Sequence, residues 1–227
     1  MEITMSGNGV AMRIPDEAGA LAPVFASNML DASELLHIAA ALAAFSWEKG
    51  GIVVEIGTYV GQTAVYMAKV LELLGFRVHV VSIDPFERFQ PDSLNPQGRF
   101  ADYLANISHY GVEDVCVPVA AFSEHAAPAI PSNIGLLVLD GGHHYPVVSR
   151  DLALYPPKIL PGGFLFIDDY GAYYPDVVRA TDEFFARAAE FVVHHKSHFV
   201  LAQRPPAETR KPARGKGGAR RRKSAMG

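Results

Sequence analysis

Ile52-Val53-Val54-Glu55-Ile56-Gly57-Thr58-Tyr59-Val60-Gly61 is the stretch whose reading decides the fold. A short apolar run carries one acid, ends in two glycines four apart, and is followed by a helical pattern from Gln62 to Leu74. That order is the first strand, turn and helix of a doubly wound α/β domain. A glycine turn of this kind lets a ligand lie against the backbone, near a helix N-terminus. Tyr59 stands where the dinucleotide fingerprint Gly-x-Gly-x-x-Gly needs its second glycine. The ligand is therefore not expected to be NAD or FAD, and a dehydrogenase is the weaker reading.

Outward from this stretch, strands and helices alternate. Asp31-Ala32-Ser33-Glu34 has the form of a capping box, opening a helix over Ala32 to Glu48 that stops at Gly50-Gly51. Arg77 to Asp84 reads as a second strand and Gln97 to Tyr110 as a helix. Val115 to Ala120 reads as a third strand, placed at an edge by Pro118. A short helix is expected over Ser123 to Ile130, a fourth strand over Ile134 to Asp140, and a helix from Pro146 to Tyr155. A fifth strand over Phe164 to Ile167 and a helix over Asp176 to Ala189 follow. Phe191 to Lys196 and His198 to Ala202 form a closing hairpin. Alternation implies a parallel sheet with right-handed crossovers, and the hairpin makes the last strand antiparallel.

The 227 residues suit one such domain with short extensions, over 31–204. Residues 1–30 show no clear period and read as a loosely packed arm or as a lid over a pocket. The single cysteine, Cys116, excludes an internal disulfide and fits a reducing compartment. No apolar run reaches the length of a membrane span, and the N-terminus lacks a basic-then-apolar signal pattern. The chain is read as cytoplasmic, with no membrane partner; a homodimer is compatible with it. The formal charge of −4 is uneven: 205–227 holds eight Lys or Arg against one Glu, a net +7, leaving −11 on the rest. This basic tail reads as disordered. No aromatic residues interleave its charges, so a nucleic-acid partner is not expected, although a nucleic-acid-associated binding protein is the rival from a different class.

The polar residues gather at the strand ends. Glu55 with Gly57 and Gly61, then Asp84, Asp140 and Asp168-Asp169, all fall at the carboxyl ends of strands, where open α/β sheets bind ligands. An unpaired acid after an apolar strand costs stability unless something binds it, and four such ends on one rim read as a site. Asp84, at the end of the second strand, is placed to accept hydrogen bonds from a ribose diol. Asp140, Asp168 and Asp169 make an oxygen-rich site for a hard cation, Mg²⁺ before zinc. His143 and His144, next to Asp140, read as acid/base groups.

This order of Glu55-x-Gly57-x-x-x-Gly61, Asp84, Asp140-Gly-Gly-His143 and Leu160-Pro161-Gly162-Gly163…Asp168-Asp169 resembles the class I S-adenosylmethionine-dependent methyltransferases. Within them it is similar to the metal-dependent small-molecule O-methyltransferases, above all those acting on sugars, of the macrocin and novobiocin types, and to cephalosporin-hydroxylase-like relatives. The resemblance covers Ile52 to Ala202. It implies a Rossmann-like seven-stranded sheet with the last strand antiparallel. It implies that Glu55, Gly57, Thr58 and Gly61 hold the methionine part of the cofactor and that Asp84 holds the ribose. It further implies that Ala121, Phe122 and Ser123 border the adenine, and that Asp140, Asp168 and Asp169 bind Mg²⁺. Histidines stand where catechol-type relatives have a lysine after Asp140, and Asp169 replaces their amide. The acceptor implied is a hydroxylated small molecule, a sugar or glycoside, with a catechol-like phenol as the alternative. His144, then His143, then Asp140 are the candidates for the base, and Tyr145, Tyr170 and Tyr173 lie on the same rim to stack on a sugar ring.

Overall fold

The computed structural model describes residues 1–4, 11–27, 29–86 and 100–207. Most of the basic tail, from residue 208, and the beginning of the helix expected from Gln97 lie outside the described residues. The elements in chain order begin with β1 (Glu2–Thr4), β2 (Ala11–Arg13), α1 (Asp16–Phe25), α2 (Ala32–Ala44), β3 (Ile52–Ile56), α3 (Gln62–Leu73), β4 (Val80–Asp84) and α4 (Phe100–His109). They continue with β5 (Cys116–Ala120), α5 (Ser123–Ala126), β6 (Ile134–Leu139), α6 (Tyr145–Leu154), β7 (Ile159–Ile167), α7 (Pro175–Phe185), β8 (Val192–Lys196) and β9 (Val200–Gln203).

Seven strands form one sheet in the order β5-β4-β3-β6-β7-β9-β8. The five from β3 to β7 pair in parallel, and β9 lies antiparallel between β7 and β8. The sheet is the expected one, with β5 at an edge, where Pro118 withholds no needed donor. From β3 the chain first builds outward through β4 to β5. It then returns to place β6 on the other side of β3. The loops after β3 and β6 therefore diverge at a topological switch point, where open sheets bind their ligands.

Both faces of the sheet are covered, which is why the strands are apolar throughout. Val53, Leu136, Val138, Phe164 and Phe166 face a core shared with α1, α2, α3 and α4. Val54, Ile56, Leu137, Leu139, Leu165 and Ile167 face a second core, with α6 and α7. The period of two also fixes the acids that follow. Glu55 shares the face of Val53, and Asp168 continues the row of Phe164 and Phe166, toward α2.

The capping box forms as read: Glu34 N donates to Asp31 Oδ1 at 2.9 Å and Asp31 N donates to Glu34 Oε2 at 2.6 Å. The arm differs from the sequence reading. It holds the β1–β2 pair and a helix, α1, whose Ala18, Ala22 and Phe25 are buried against α2 and α3. Its period was hidden by Gly19 and Pro23 inside the helix and by the small size of the buried alanines.

Glu55 is 1% exposed. Its carboxylate accepts from Ser82 Oγ at 2.9 Å, and Tyr103 Oη donates to the same hydroxyl at 3.2 Å. Burial pushes Glu55 up to about 7, against the Ser82 hydrogen bond. The folded chain thus binds this proton more tightly than the unfolded chain, whose carboxyl titrates near 4.5. Stability from this group is full below that value and is lost as pH rises through the folded pKa. Replacing Glu55 with Gln removes the titration. Measured by urea unfolding in EDTA, Glu55→Gln is expected to gain on the wild type by about 3 kcal/mol between roughly pH 5 and pH 8. A difference independent of pH refutes a raised Glu55.

Candidate active site

The loop after β3 is wound around Asp84. Thr58 N and Tyr59 N donate to Asp84 Oδ2 at 3.0 and 3.1 Å, and Phe86 N donates to Oδ1 at 2.6 Å. Gly57, Tyr59 and Gly61 all have positive φ, at 82°, 51° and 79°. Asn106 of α4 donates to Val60 O at 2.7 Å and ties the loop down from outside. Gly61 opens α3, and a Cβ on it would lie 2.5 Å from the Tyr103 ring. Gly57 is tighter still. A Cβ there would sit 1.9 Å from the Asp140 carbonyl oxygen. Only glycine lets these two loops touch.

A cavity of about 570 Å³ opens over this contact. One side is made by Gly57, Thr58, Tyr59, Asp84, Phe122 and Ser123. The opposite side is made by Asp140, His143, His144, Asp169 and Tyr174, and the arm adds Phe25, Ser27, Met29 and Leu30. This is the size of a small-molecule site, with apolar walls and a few polar groups.

The polar end is a group of acids around one imidazole. Donor atoms of Asp140, His143 and Asp169 lie within 4.8 Å of one another. His143 Nε2 is 2.6 Å from Asp169 Oδ2, and the Tyr174 ring lies 4.0 Å from the imidazole, centroid to centroid. Burial pushes the Asp140 carboxyl well above its ordinary value, and the Asp168, Asp169 and Glu55 charges push it further. Burial and the neighbouring Glu34 and Asp169 raise Asp168 in the same way. A cation set among these acids would relieve that repulsion, so the donor set fits a divalent metal.

Residues 54–170, half of the chain, match a family described as a methyltransferase domain. The chain belongs to this methyltransferase family. Among solved structures, the methyltransferase is similar to the O-methyltransferase NovP, with a TM-score of 0.66 and 21% identity over 78% of this chain and 82% of that one. It is similar to CalS11, a TDP-rhamnose 3′-O-methyltransferase of calicheamicin biosynthesis, with a TM-score of 0.57 and 17% identity over 84% and 87% of the two chains. A third likeness is to the Podospora anserina methyltransferase PaMTH1 bound to SAH, with a TM-score of 0.55 and 15% identity over 84% and 88%. At these identities the likenesses bear on the fold. A curated relative, an uncharacterised protein of Acanthamoeba polyphaga mimivirus, is 28% identical over 140 residues, 59% of this chain. The chain spans 58% of that relative's length.

Nine residues expected at the site line the methyltransferase cavity: Gly57, Thr58, Asp84, Phe122, Ser123, Asp140, His143, His144 and Asp169. Seven others do not. Glu55 is buried, with its carboxylate accepting from Ser82. Gly61 shapes the turn against Tyr103, and Ala121 folds back through its N–H onto Val119 O. Asp168 is carried by strand alternation to a hydrogen bond with Glu34, and with Asp140, His143 and Asp169 it lines a smaller adjoining cavity. Tyr145 is held between Glu183, at 2.6 Å, and the Arg179 guanidinium over its ring. Tyr170 donates to Asp182 at 2.9 Å under Lys196, and Tyr173 is 95% exposed. Tyr174 was missed by sequence reasoning. Its signal was Pro175, the first residue of α7, which puts Tyr174 at a helix N-terminus on the ligand rim.

Gly57→Ala forces a non-glycine residue into the left-handed region, at about 1–2 kcal/mol, and drives its Cβ into Asp140. Thermal unfolding is expected to fall by roughly 10 °C or more, with loss of cofactor binding. Gly75→Ala has a similar φ of 81° but nothing within 4 Å of the added carbon. It is expected to show the smaller backbone effect alone. Equal losses in the two variants overturn the close-contact reading.

Proposed function

We propose that the protein is an S-adenosylmethionine-dependent O-methyltransferase acting on a hydroxyl of a small molecule, a sugar or glycoside, with Mg²⁺ as its metal. The observation that carries this reading is the meeting, in one cavity, of the Asp84-anchored glycine loop and the acid–imidazole group around His143. The names of NovP and CalS11 support the O-methyl and sugar parts by likeness.

S-adenosylmethionine supplies a sulfonium-bound methyl group that needs only an aligned nucleophile. The loop from Gly57 to Tyr59 would receive its methionine part. Asp84, with each oxygen already accepting from backbone N–H groups, is a fixed acceptor for ribose hydroxyls. Phe122 and Ser123 would border the adenine. Asp140, Asp168 and Asp169 would hold Mg²⁺, which would make a nearby hydroxyl more acidic.

His143 is the base this geometry favours over His144. It is partly buried, lines the cavity, and has Nε2 on Asp169. Asp169 therefore orients the ring and steadies the imidazolium that forms when Nδ1 takes the acceptor's proton. His144 is exposed, and its backbone carbonyl begins α6 by accepting from Val147 N and Val148 N.

S-adenosylmethionine binding is measured by calorimetry, and methyl transfer is assayed on a panel of sugars and catechols with Mg²⁺ or EDTA. Binding with metal-dependent transfer to a sugar is expected. His143→Gln is expected to lower kcat by about 100-fold or more with the cofactor Kd unchanged, and His144→Gln by no more than a few-fold. Asp169→Asn is expected to remove the metal response. Transfer to catechols alone replaces the acceptor class. Full activity in EDTA overturns the metal, and absence of cofactor binding overturns the reading as a whole.

A further inference from the structure

We propose that Tyr174 is a positioning residue that holds the face of the His143 imidazole while Asp169 holds its edge. The inference rests on the reading of His143 given above. The loop from β7 to α7 is built to bring Tyr174 inward. Asp169 stands at a φ of 59°, Gly171 N donates to Asp169 O at 2.8 Å, and Tyr174 N donates to Gly171 O at 3.0 Å. Pro175 then starts α7. This tight turn leaves Tyr173 in solvent and puts Tyr174 on the cavity wall, its ring tilted 36° to the imidazole at 4.0 Å.

His143 comes from the other loop, after β6, so the stacked pair crosses the rim between two loops. A single hydrogen bond to Asp169 leaves an imidazole able to rock about that bond. An aromatic ring packed on its face removes the rocking, and such pairs favour offset or tilted geometries over a direct sandwich. Once Nε2 is committed to Asp169, Nδ1 is the nitrogen left to exchange a proton, and its aim depends on the plane of the ring. Effects of misaim are large in catalysis, because displacement of a reacting group by about 1 Å costs on the order of 100-fold. The spacing of the two loops does not itself rest on Tyr174. Tyr145 N donates to Asp176 Oδ2 at 3.0 Å and joins the same segments. Loss of the Tyr174 ring should therefore loosen the imidazole without opening the rim.

The test uses the full chain and three variants. Tyr174→Phe and Tyr174→Trp keep a ring, and Tyr174→Leu removes it. Relaxation NMR of the histidine rings reads the mobility of the His143 imidazole without metal or cofactor, with His143→Gln supplying the assignment. The wild type and both ring-keeping variants are expected to show a rigid imidazole, and Tyr174→Leu a mobile one on the same Asp169 hydrogen bond. In methyl transfer, Tyr174→Leu is expected to lose about tenfold or more in kcat with cofactor Kd unchanged, and Tyr174→Phe no more than a few-fold. An imidazole as rigid in Tyr174→Leu as in the wild type overturns the proposal. A Tyr174→Phe variant as damaged as Tyr174→Leu also overturns it, because the phenol rather than the ring would then matter. If the wild type transfers no methyl group, the functional reading fails, while the NMR comparison still decides the role of Tyr174.

Discussion

The rim of this protein depends on one close approach, that of the Gly57 backbone to the Asp140 carbonyl. Two strands that are neighbours in the sheet send their loops to opposite faces, and the loops part company only after touching. A side chain at Gly57 would separate them by more than the cavity can absorb. The contact sets the position of the loop wound on Asp84 relative to the acids around His143. It also shows why the first glycine of the motif carries more structural information than the second. Gly57 is wedged against backbone, whereas Gly61 meets the side-chain ring of Tyr103.

The acids of the rim are placed by the simplest property of a strand, its period of two. On β7 that period sends Asp168 toward Glu34 on α2, whereas the next residue, Asp169, joins Asp140 and His143 after the chain turns into the left-handed region. On β3 it sends Glu55 down to Ser82 and Tyr103. Like charges thus accumulate on both sides of the rim, and raised protonation at Asp140, Asp168 and Glu55 is the common result. Such an arrangement is poor for stability and suited to holding a cation.

The sheet was legible in the sequence because its strands are continuous apolar runs closed by acids or glycine, and Pro118 marked the edge. The capping box at Asp31 was legible for an equally local reason. The arm was not, because α1 buries alanines and carries Gly19 and Pro23 within a helix. Of the residues expected at the site, those on the turns themselves, Gly57, Asp84, Asp140, His143 and Asp169, line the cavity. Expectation and structure part where direction matters more than position. Tyr145, Tyr170 and Tyr173 stand on the right loops, but Glu183, Asp182 and solvent claim them. Sequence order places a residue on a rim, and the partners brought by α7 decide which way it faces.

The short connection between α1 and α2 has a separate meaning. Ser27, Met29 and Leu30 border the cavity, yet they precede the capping box and every strand of the seven-stranded sheet. Phe25 and Leu30 are buried with the core, while Met29 stays 46% exposed. This part of the wall is therefore anchored in the core by Phe25 and Leu30 and open to solvent at Met29. The wall of the cavity and the strands beneath it thus come from different parts of the chain, so a change at Met29 alters the wall without a substitution in the sheet.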